Sequence, residues 1–233
     1  MLGAIAIVPS APVLVAELAG AAADEVADIG AAVTAAAAML PPRWVAVGVG
    51  AADGVVDRDA VGSFAGFGTD VRVRLSPLCD DEPGLRLPAE LPLCALMTAW
   101  IRGRARPEAT AEVRVYAGDH DVDTALARGR DLRAQIDRVP DPIGVLVVAD
   151  GVNALTSQAP GGYDPGGADV QLALDDALGA GDVAALRTLP ATVLGRAAFQ
   201  VLAGLTGSGP QSAKELYRGA PYGEGYFVGV WLP

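Results

Sequence analysis

The 233-residue sequence contains a single histidine, His120, and only two cysteines, Cys79 and Cys94. One chain therefore cannot build a metal centre from two histidines and a carboxylate, and a four-cysteine zinc site is excluded as well. Two cysteines provide no disulfide framework, so we interpret both as free thiols of a cytoplasmic protein.

Positive charge and long apolar runs are also scarce. Twenty-eight acidic residues oppose 17 basic ones, which leaves a net charge of −11. This charge would repel a nucleic-acid backbone and disfavours an anionic membrane surface. No basic residue precedes Arg43, so the apolar start predicts a buried strand instead of a secretory signal. No apolar run approaches about 20 residues, so we expect neither a nucleic acid nor a membrane as partner.

The apolar residues present, 52% of the chain, predict one α/β domain over residues 1–233, with a mostly parallel central sheet flanked by helices. A strand at 3–8, a helix through 26–40 and a strand at 44–49 form a βαβ unit, which predicts a parallel strand pair. The run Ile143–Ala149 is the most hydrophobic strand and is expected at the sheet centre. The other predicted strands are 71–75, 113–116 and 225–231. The other predicted helices are 91–101, 122–139, 170–178, a short one capped by Asp182, and one around 194–205. Loops are predicted at 62–68 and 76–90.

Polar side chains follow three of these strands. Ser10 follows the first strand, Asp53 the second, and Asp150 and Asn153 the central one. In open α/β sheets ligands bind at the carboxyl ends of the strands, so these four residues predict one binding crevice. The same residue types are also typical of ordinary turns, and the pattern does not identify what fills the crevice.

His120 is the one candidate catalytic residue. It lies in the acidic loop Gly118-Asp119-His120-Asp121, whose carboxylates would favour its protonated form. Within reach of the crevice it would serve as a general base or as the partner of a Ser10 nucleophile. The alternative is a solvated loop histidine without a catalytic role.

Several segments carry a family resemblance when they are taken in order. Residues 148–155 are VADGVNAL, residues 159–165 are APGGYDP, Gly195-Arg196 follows, and residues 221–226 are PYGEGY. Residues 9–15 are PSAPVLV. Together these segments resemble the class III extradiol ring-cleavage dioxygenases, in the catalytic B-subunit-like domain of the branch found beside Memo-like and AMMECR-type proteins. The segment 9–15 is similar to the opening Pro-His-Pro-Pro segment of that family.

The resemblance implies an α/β fold with a metal crevice at its strand ends. Active members hold non-haem Fe(II) there with two histidines and a glutamate, and use a further histidine as acid and base. In this sequence the two histidine ligands fall on Ser10 and on or near Asp53, and the glutamate falls on Gly219. The acid–base histidine falls on Asn153, whereas the family's aspartate is kept as Asp150.

Hydroxyl and amide groups are poor substitutes for imidazole as iron ligands. The resemblance therefore leads us to expect a pseudoenzyme without Fe(II), without ring cleavage and without another cofactor. It would retain the crevice for a small polar or aromatic molecule or for a partner. The oxygen atoms of Ser10, Asp53, Asp150 and Asn153 would suit only a hard cation such as Mg²⁺ or Ca²⁺.

Two alternatives stay open. The first is an enzyme: either a metal-dependent oxidoreductase that performs extradiol cleavage with relocated ligands among Asp53, His120, Glu215 and Glu224, or a hydrolase that uses Ser10 with His120. The second is a homo-oligomeric scaffold, since members of the family often form oligomers.

Overall fold

A computed structural model describes residues 1–77 and 90–233. The strands of this part of the chain are β1 (Leu2–Val8), β2 (Arg43–Gly50), β3 (Gly54–Val56), β4 (Val61–Ser63), β5 (Arg72–Arg74), β6 (Thr110–Ala117), β7 (Ile143–Val148), β8 (Ser212–Gly219) and β9 (Tyr226–Leu232). Its α-helices are α1 (Ala16–Ala19), α2 (Ala27–Ala38), α3 (Leu93–Ala105), α4 (Val122–Asp137), α5 (Gly167–Ala180), α6 (Val183–Leu186) and α7 (Arg196–Thr206). Short 3₁₀ helices occupy Pro12–Leu14, Gly20–Ala22 and Phe64–Phe67.

Seven strands form one mixed sheet in the order β3-β6-β2-β7-β1-β9-β8. The four central strands β6, β2, β7 and β1 are parallel, whereas β3 and β9 pair antiparallel at the two sides. The predicted α/β fold with a central sheet flanked by helices is confirmed. β1 and β2 are parallel as expected, but β7 lies between them because its six residues are all buried and need cover on both faces and both edges.

Helices cover both faces of the sheet and create two apolar cores. On β1, Ala4, Ala6 and Val8 face α2 and α3, whereas Ile5 and Ile7 face α4, α5 and α7. This alternation follows from the two-residue period of a strand. We call the two sides the α2–α3 face and the α4–α7 face. No helix in the described ranges is long and apolar enough to cross a membrane.

Two glycines set the position of α4 on its face. A Cβ atom on Gly204 of α7 would lie 2.2 Å from the carbonyl oxygen of Leu126, and one on Gly129 of α4 would lie 2.1 Å from the carbonyl oxygen of Val201. These distances are far below van der Waals contact, so only glycine allows the two backbones to approach this closely. The contact draws α4 toward α7.

The structure differs from or adds to the sequence expectations in several segments. The strand around Val73 pairs with β4 in a separate two-stranded sheet, and the segment 62–68, predicted as a loop, contains a 3₁₀ helix capped by Ser63. β8 was not predicted, because an edge strand has one unpaired side and its sequence mixes polar and apolar residues without clean alternation. Of the loop predicted at 76–90, Ser76 is fully buried, and residues 78–89, with Cys79, lie outside the described residues.

Candidate functional site

The ends of β1 and β7 bring two of the four predicted crevice residues into contact. The backbone N–H of Ser10 donates a hydrogen bond of 2.7 Å to Oδ1 of Asp150. β1 and β7 are adjacent parallel strands with Val8 beside Val148, so the residues two positions further along both strands lie level with one another. Strand register therefore places this pair.

The turn before β9 adds a second carboxyl group. The N–H of Gly151 donates to the carbonyl of Gly225 over 2.9 Å, and the N–H of Gly225 donates to the carbonyl of Val152 over 2.8 Å. This short ladder holds Glu224 near Asp150, close enough for the two charges to interact. The hydroxyl of Tyr226 donates to Oε2 of Glu224 over 3.2 Å. We call Ser10, Asp150, Glu224 and Tyr226 the carboxyl cluster.

Burial controls the protonation of the carboxyl cluster. Burial, together with the negative charge of Glu224, raises the pKa of Asp150 to about 7, although the hydrogen bond from the Ser10 N–H acts in the opposite direction. Burial also raises the pKa of Glu224 and of the Tyr226 hydroxyl. Near neutral pH, Asp150 is therefore partly protonated, so it can either donate or accept a hydrogen bond.

Gln171 of α5 supports the cluster from the α4–α7 face. Its Oε1 accepts a hydrogen bond of 2.8 Å from the N–H of Val152, and its Nε2 donates to Asp175 over 2.8 Å. A Cβ atom on Gly151 or Gly225 would lie within 2.1 Å of the Gln171 amide, so a larger residue at either position would displace this side chain from its hydrogen bonds. Sequence reasoning missed Gln171; the available signal was a polar residue on the apolar side of a predicted helix.

Asn153 lies in the loop that follows the cluster. Its carbonyl accepts a hydrogen bond of 2.9 Å from the N–H of Gly161, and its side-chain oxygen packs against the same glycine. Asn153 is half-buried. Its contacts thus close the loop 153–161, as the alternative interpretation of a turn residue expects.

The structure places Asp53, the fourth predicted crevice residue, with a different set of partners. It accepts a hydrogen bond of 2.9 Å from the N–H of Ala117, forms an ion pair of 2.9 Å with Arg128 of α4, and lies 2.6 Å from Nε2 of His120. Partial burial acts to raise the pKa of Asp53, but these hydrogen bonds and the positive charges of His120 and Arg128 outweigh it and lower the pKa.

Asp53 and Asp150 lie on opposite faces of the sheet. Asp53 is bound to Arg128 of α4, on the α4–α7 face, whereas the charge of Asp150 acts on Tyr226, whose ring packs on the α2–α3 face. β2 also separates β7 from β6, a distance of two strand spacings or roughly 10 Å. The four predicted residues therefore divide between two places.

His120 has an acidic partner, although not one of its two neighbours in sequence. Asp121 is the N-cap of α4 and accepts hydrogen bonds from the N–H and the hydroxyl of Thr124. The imidazole pairs instead with Asp53 and is mostly buried, with 18% of its side chain exposed. A carboxylate–imidazole pair is an arrangement that general bases use.

The residues present do not fit the iron site that the family resemblance implies. Within residues 1–77 and 90–233, no three His, Cys, Asp or Glu side chains converge in a way that could hold a metal ion. Gly219, at the family's glutamate position, has no side chain to offer. The only imidazole, that of His120, is bound to Asp53 on the α4–α7 face.

The relocated ligand set does not assemble either. Glu215 of β8 pairs with Arg218, which also contacts Asp176 of α5 at 2.7 Å. Glu224 belongs to the carboxyl cluster, and Asp53 to the His120 pair. The four candidate ligands that the sequence suggested, Asp53, His120, Glu215 and Glu224, therefore lie at three separate places in the structure.

Comparison with known proteins supports the fold and adds no function. No protein-family model matches the chain, and no curated protein matches it. Among solved structures, it is similar to the crystal structure of an uncharacterized protein, JW3007, from Escherichia coli K12. That alignment covers 99% of this chain and 100% of the other, with 10% identity and a TM-score of 0.58. The chain therefore shares its α/β fold with that bacterial protein.

Proposed function

We propose that this chain is a degenerate member of the class III extradiol dioxygenase family, without Fe(II) and without ring cleavage, and that its carboxyl cluster binds a small polar ligand. The observation that carries the proposal is the pair of partly buried carboxyl groups, Asp150 and Glu224, where the ends of β1 and β7 meet the start of β9. Carboxyl ends of parallel strands are the usual ligand site of such sheets.

The chemistry of the cluster indicates the kind of ligand. A partly protonated carboxyl group, a second carboxyl group and a phenol offer both donors and acceptors within a small volume. Two neighbouring hydroxyl groups on a ring, as in a catechol, match this set because each hydroxyl also donates and accepts. We therefore infer a small dihydroxy compound as the ligand class.

A thermal-shift screen with catechol and its mono-hydroxy analogue phenol tests this inference. A ligand at 100 times its Kd adds about 2.7 kcal/mol to the free energy of unfolding, which is easily detected. We expect a shift with catechol that Asp150→Asn and Glu224→Gln both reduce, and that the exposed-site control Asp57→Asn retains. Equal shifts with catechol and phenol, or no effect of the two cluster variants, would contradict the proposal.

Elemental analysis of protein purified without a histidine tag tests the loss of iron. We expect no stoichiometric transition metal. One iron per chain would overturn the proposal, whereas stoichiometric Mg²⁺ or Ca²⁺ would favour a cluster that binds its ligand through a hard cation.

One observation favours a second candidate, a hydrolytic enzyme. His120 and Asp53 form a carboxylate–imidazole pair of 2.6 Å, as a general base requires. Hydrolysis of p-nitrophenyl acetate by the wild type that is lost in both His120→Asn and Asp53→Asn would support this candidate. The structure does not bring Ser10 to this pair, since Ser10 lies with Asp150, so Ser10→Ala should keep the activity.

A further inference from the structure

The α4–α7 face contains a groove beside the short edge strand of the sheet. β3 pairs with β6 only at Val113–Val115, and α4 is drawn toward α7 on its other side. Two recesses lie in the gap, one of about 320 Å³ beside Asp53 and one of about 140 Å³ beside the starts of β2 and β6. Arg114, Leu132 and Gln135 line both recesses, so the two form one continuous groove.

The smaller recess concentrates positive charge in an acidic protein. Arg43, Arg58 and Arg114 line it, and Glu112 is the single acid in its lining within the described part of the chain. Glu112 pairs with Arg114 at 2.7 Å. Arg43 and Arg58 are exposed and have no ion-pair partner among the residues that the structure describes. Two uncompensated guanidinium groups at one recess contrast with the net charge of −11 for the whole chain.

Arg114 adds a donor without an acceptor. Its Nε is buried and has no hydrogen-bond partner among residues 1–77 and 90–233, although its terminal nitrogen contacts Glu112 and, at 3.4 Å, Gln135. A buried N–H left unpaired is energetically unfavourable. An oxyanion that enters the recess and displaces the long contact to Gln135 would give this guanidinium a stronger acceptor, because guanidinium groups bind oxyanions in bidentate fashion.

The remaining wall of the recess is apolar. Ile136 and Val139 at the end of α4, Ile143 at the start of β7 and Leu132 line it. The recess has a volume of about 140 Å³, which is close to the volume of about 150 Å³ of apolar cavities that accommodate benzene. A single ring or short aliphatic group would therefore fill the apolar part while a charged group faces the arginines.

We propose that the smaller recess of this groove is a second ligand site, which binds a small carboxylate with an apolar body. The carboxylate pairs with Arg43 and Arg58 at the rim, and the apolar body packs against Ile136 and Val139. The site lies on the opposite face from the carboxyl cluster and has the opposite charge. This proposal therefore does not depend on ligand binding by the carboxyl cluster.

NMR titration of ¹⁵N-labelled full-length protein at pH 7 tests the proposal with four probes. Benzoate carries a negative charge and an apolar ring. Benzyl alcohol lacks the charge, benzylamine carries a positive charge instead, and inorganic phosphate lacks the apolar ring. We expect benzoate to shift the amide signals of Thr110, Glu112 and Gln135 and to bind at least ten-fold more tightly than the other three probes.

Matched variants locate the charge contact. Both Arg43 and Arg58 are exposed, so Arg43→Gln and Arg58→Gln should fold normally, which the melting temperature checks. Each should weaken benzoate binding roughly three- to five-fold, as is usual for a solvent-exposed ion pair. The exposed Arg187→Gln, just after the short helix α6, is the control and should leave the Kd unchanged.

Four results would overturn the proposal. Equal affinity for benzoate and benzyl alcohol would show that the arginines are not used, and equal affinity for phosphate would show that the apolar wall is not used. Signal shifts confined to residues outside the groove would place the ligand elsewhere. An unchanged Kd in both arginine variants would remove the charge contact.

Discussion

The backbone N–H of Ser10 donates a hydrogen bond of 2.7 Å to the Asp150 carboxylate, although the two residues are 140 positions apart in the chain. This bond favours the charged form of Asp150, yet burial and the nearby Glu224 outweigh it and raise the pKa to about 7. The strand ends therefore hold an acid that changes its charge near neutral pH.

Stability should decrease with rising pH because of Asp150. The pKa is 3.8 in the unfolded chain and about 7 in the folded one, so between these values the folded state binds more protons. The free energy of unfolding then decreases from about pH 4 to about pH 7, and the raised pKa of Glu224 acts in the same direction. Urea denaturation across this range measures the effect.

Asp150→Asn isolates this contribution. Asparagine keeps an acceptor oxygen for the Ser10 N–H and removes the charge, so the variant should match the wild type at pH 4. At pH 8 it should exceed the wild type by roughly 2–4 kcal/mol, at about 1.4 kcal/mol for each unit of pKa shift. Asp57→Asn, in an exposed loop, should keep the wild-type profile. Parallel profiles for wild type and Asp150→Asn would contradict the assignment.

Gln171→Leu should be strongly destabilising. The substitution leaves the buried N–H of Val152 without an acceptor and removes the donor to Asp175, whose pKa burial already raises to about 6. The expected loss in the free energy of unfolding is roughly 2–4 kcal/mol. Gln158→Leu, at an exposed position, should change it by no more than about 0.5 kcal/mol. Similar values for the two variants would show that the buried amide is dispensable.

Glycine-to-alanine substitutions at two helical sites should have opposite signs. Alanine at Gly204 would meet the Leu126 carbonyl at 2.2 Å and force α4 away from α7, at a cost of about 1–3 kcal/mol. Alanine at Gly103 of α3 meets nothing within 4 Å and should stabilise the protein by roughly 0.5–1 kcal/mol. Thermal unfolding measures both, and destabilisation by Gly103→Ala as large as that by Gly204→Ala would contradict the packing described.

Asp53→Asn should have a small effect that depends on salt. The lowered pKa of Asp53 means that its contribution to stability is present above about pH 4 and is lost as the pH falls further. About a third of this side chain is exposed, so solvent screening limits the loss at pH 7 to no more than about 1 kcal/mol. The difference from the wild type should shrink in 0.5 M NaCl, and a salt-independent loss would indicate a packing defect instead.

Local patterns predicted most of the secondary structure. The continuous apolar run at Ile143–Val148 identified the central strand, because only a strand covered on both faces has no polar positions. Asp121 and Asp182 cap the helices that follow them, as short polar side chains before apolar periods do. β8 escaped detection because the register shift between Glu215 and Tyr217 interrupts the alternation that marks a half-buried strand.

Composition and short patterns were sufficient for statements that depend on single residues or neighbours in sequence: one histidine cannot supply two imidazole ligands, and Ser10 and Asp150 each follow a buried strand. The strand order determined which of these residues meet. β7 inserts between β1 and β2, and β9 returns antiparallel beside β1, so Asp150 gains Glu224 as a neighbour while Asp53 joins His120 on the other face. Contacts between distant segments depend on how buried strands share the centre of the sheet, which is a property of the whole chain and has no signature in any one segment.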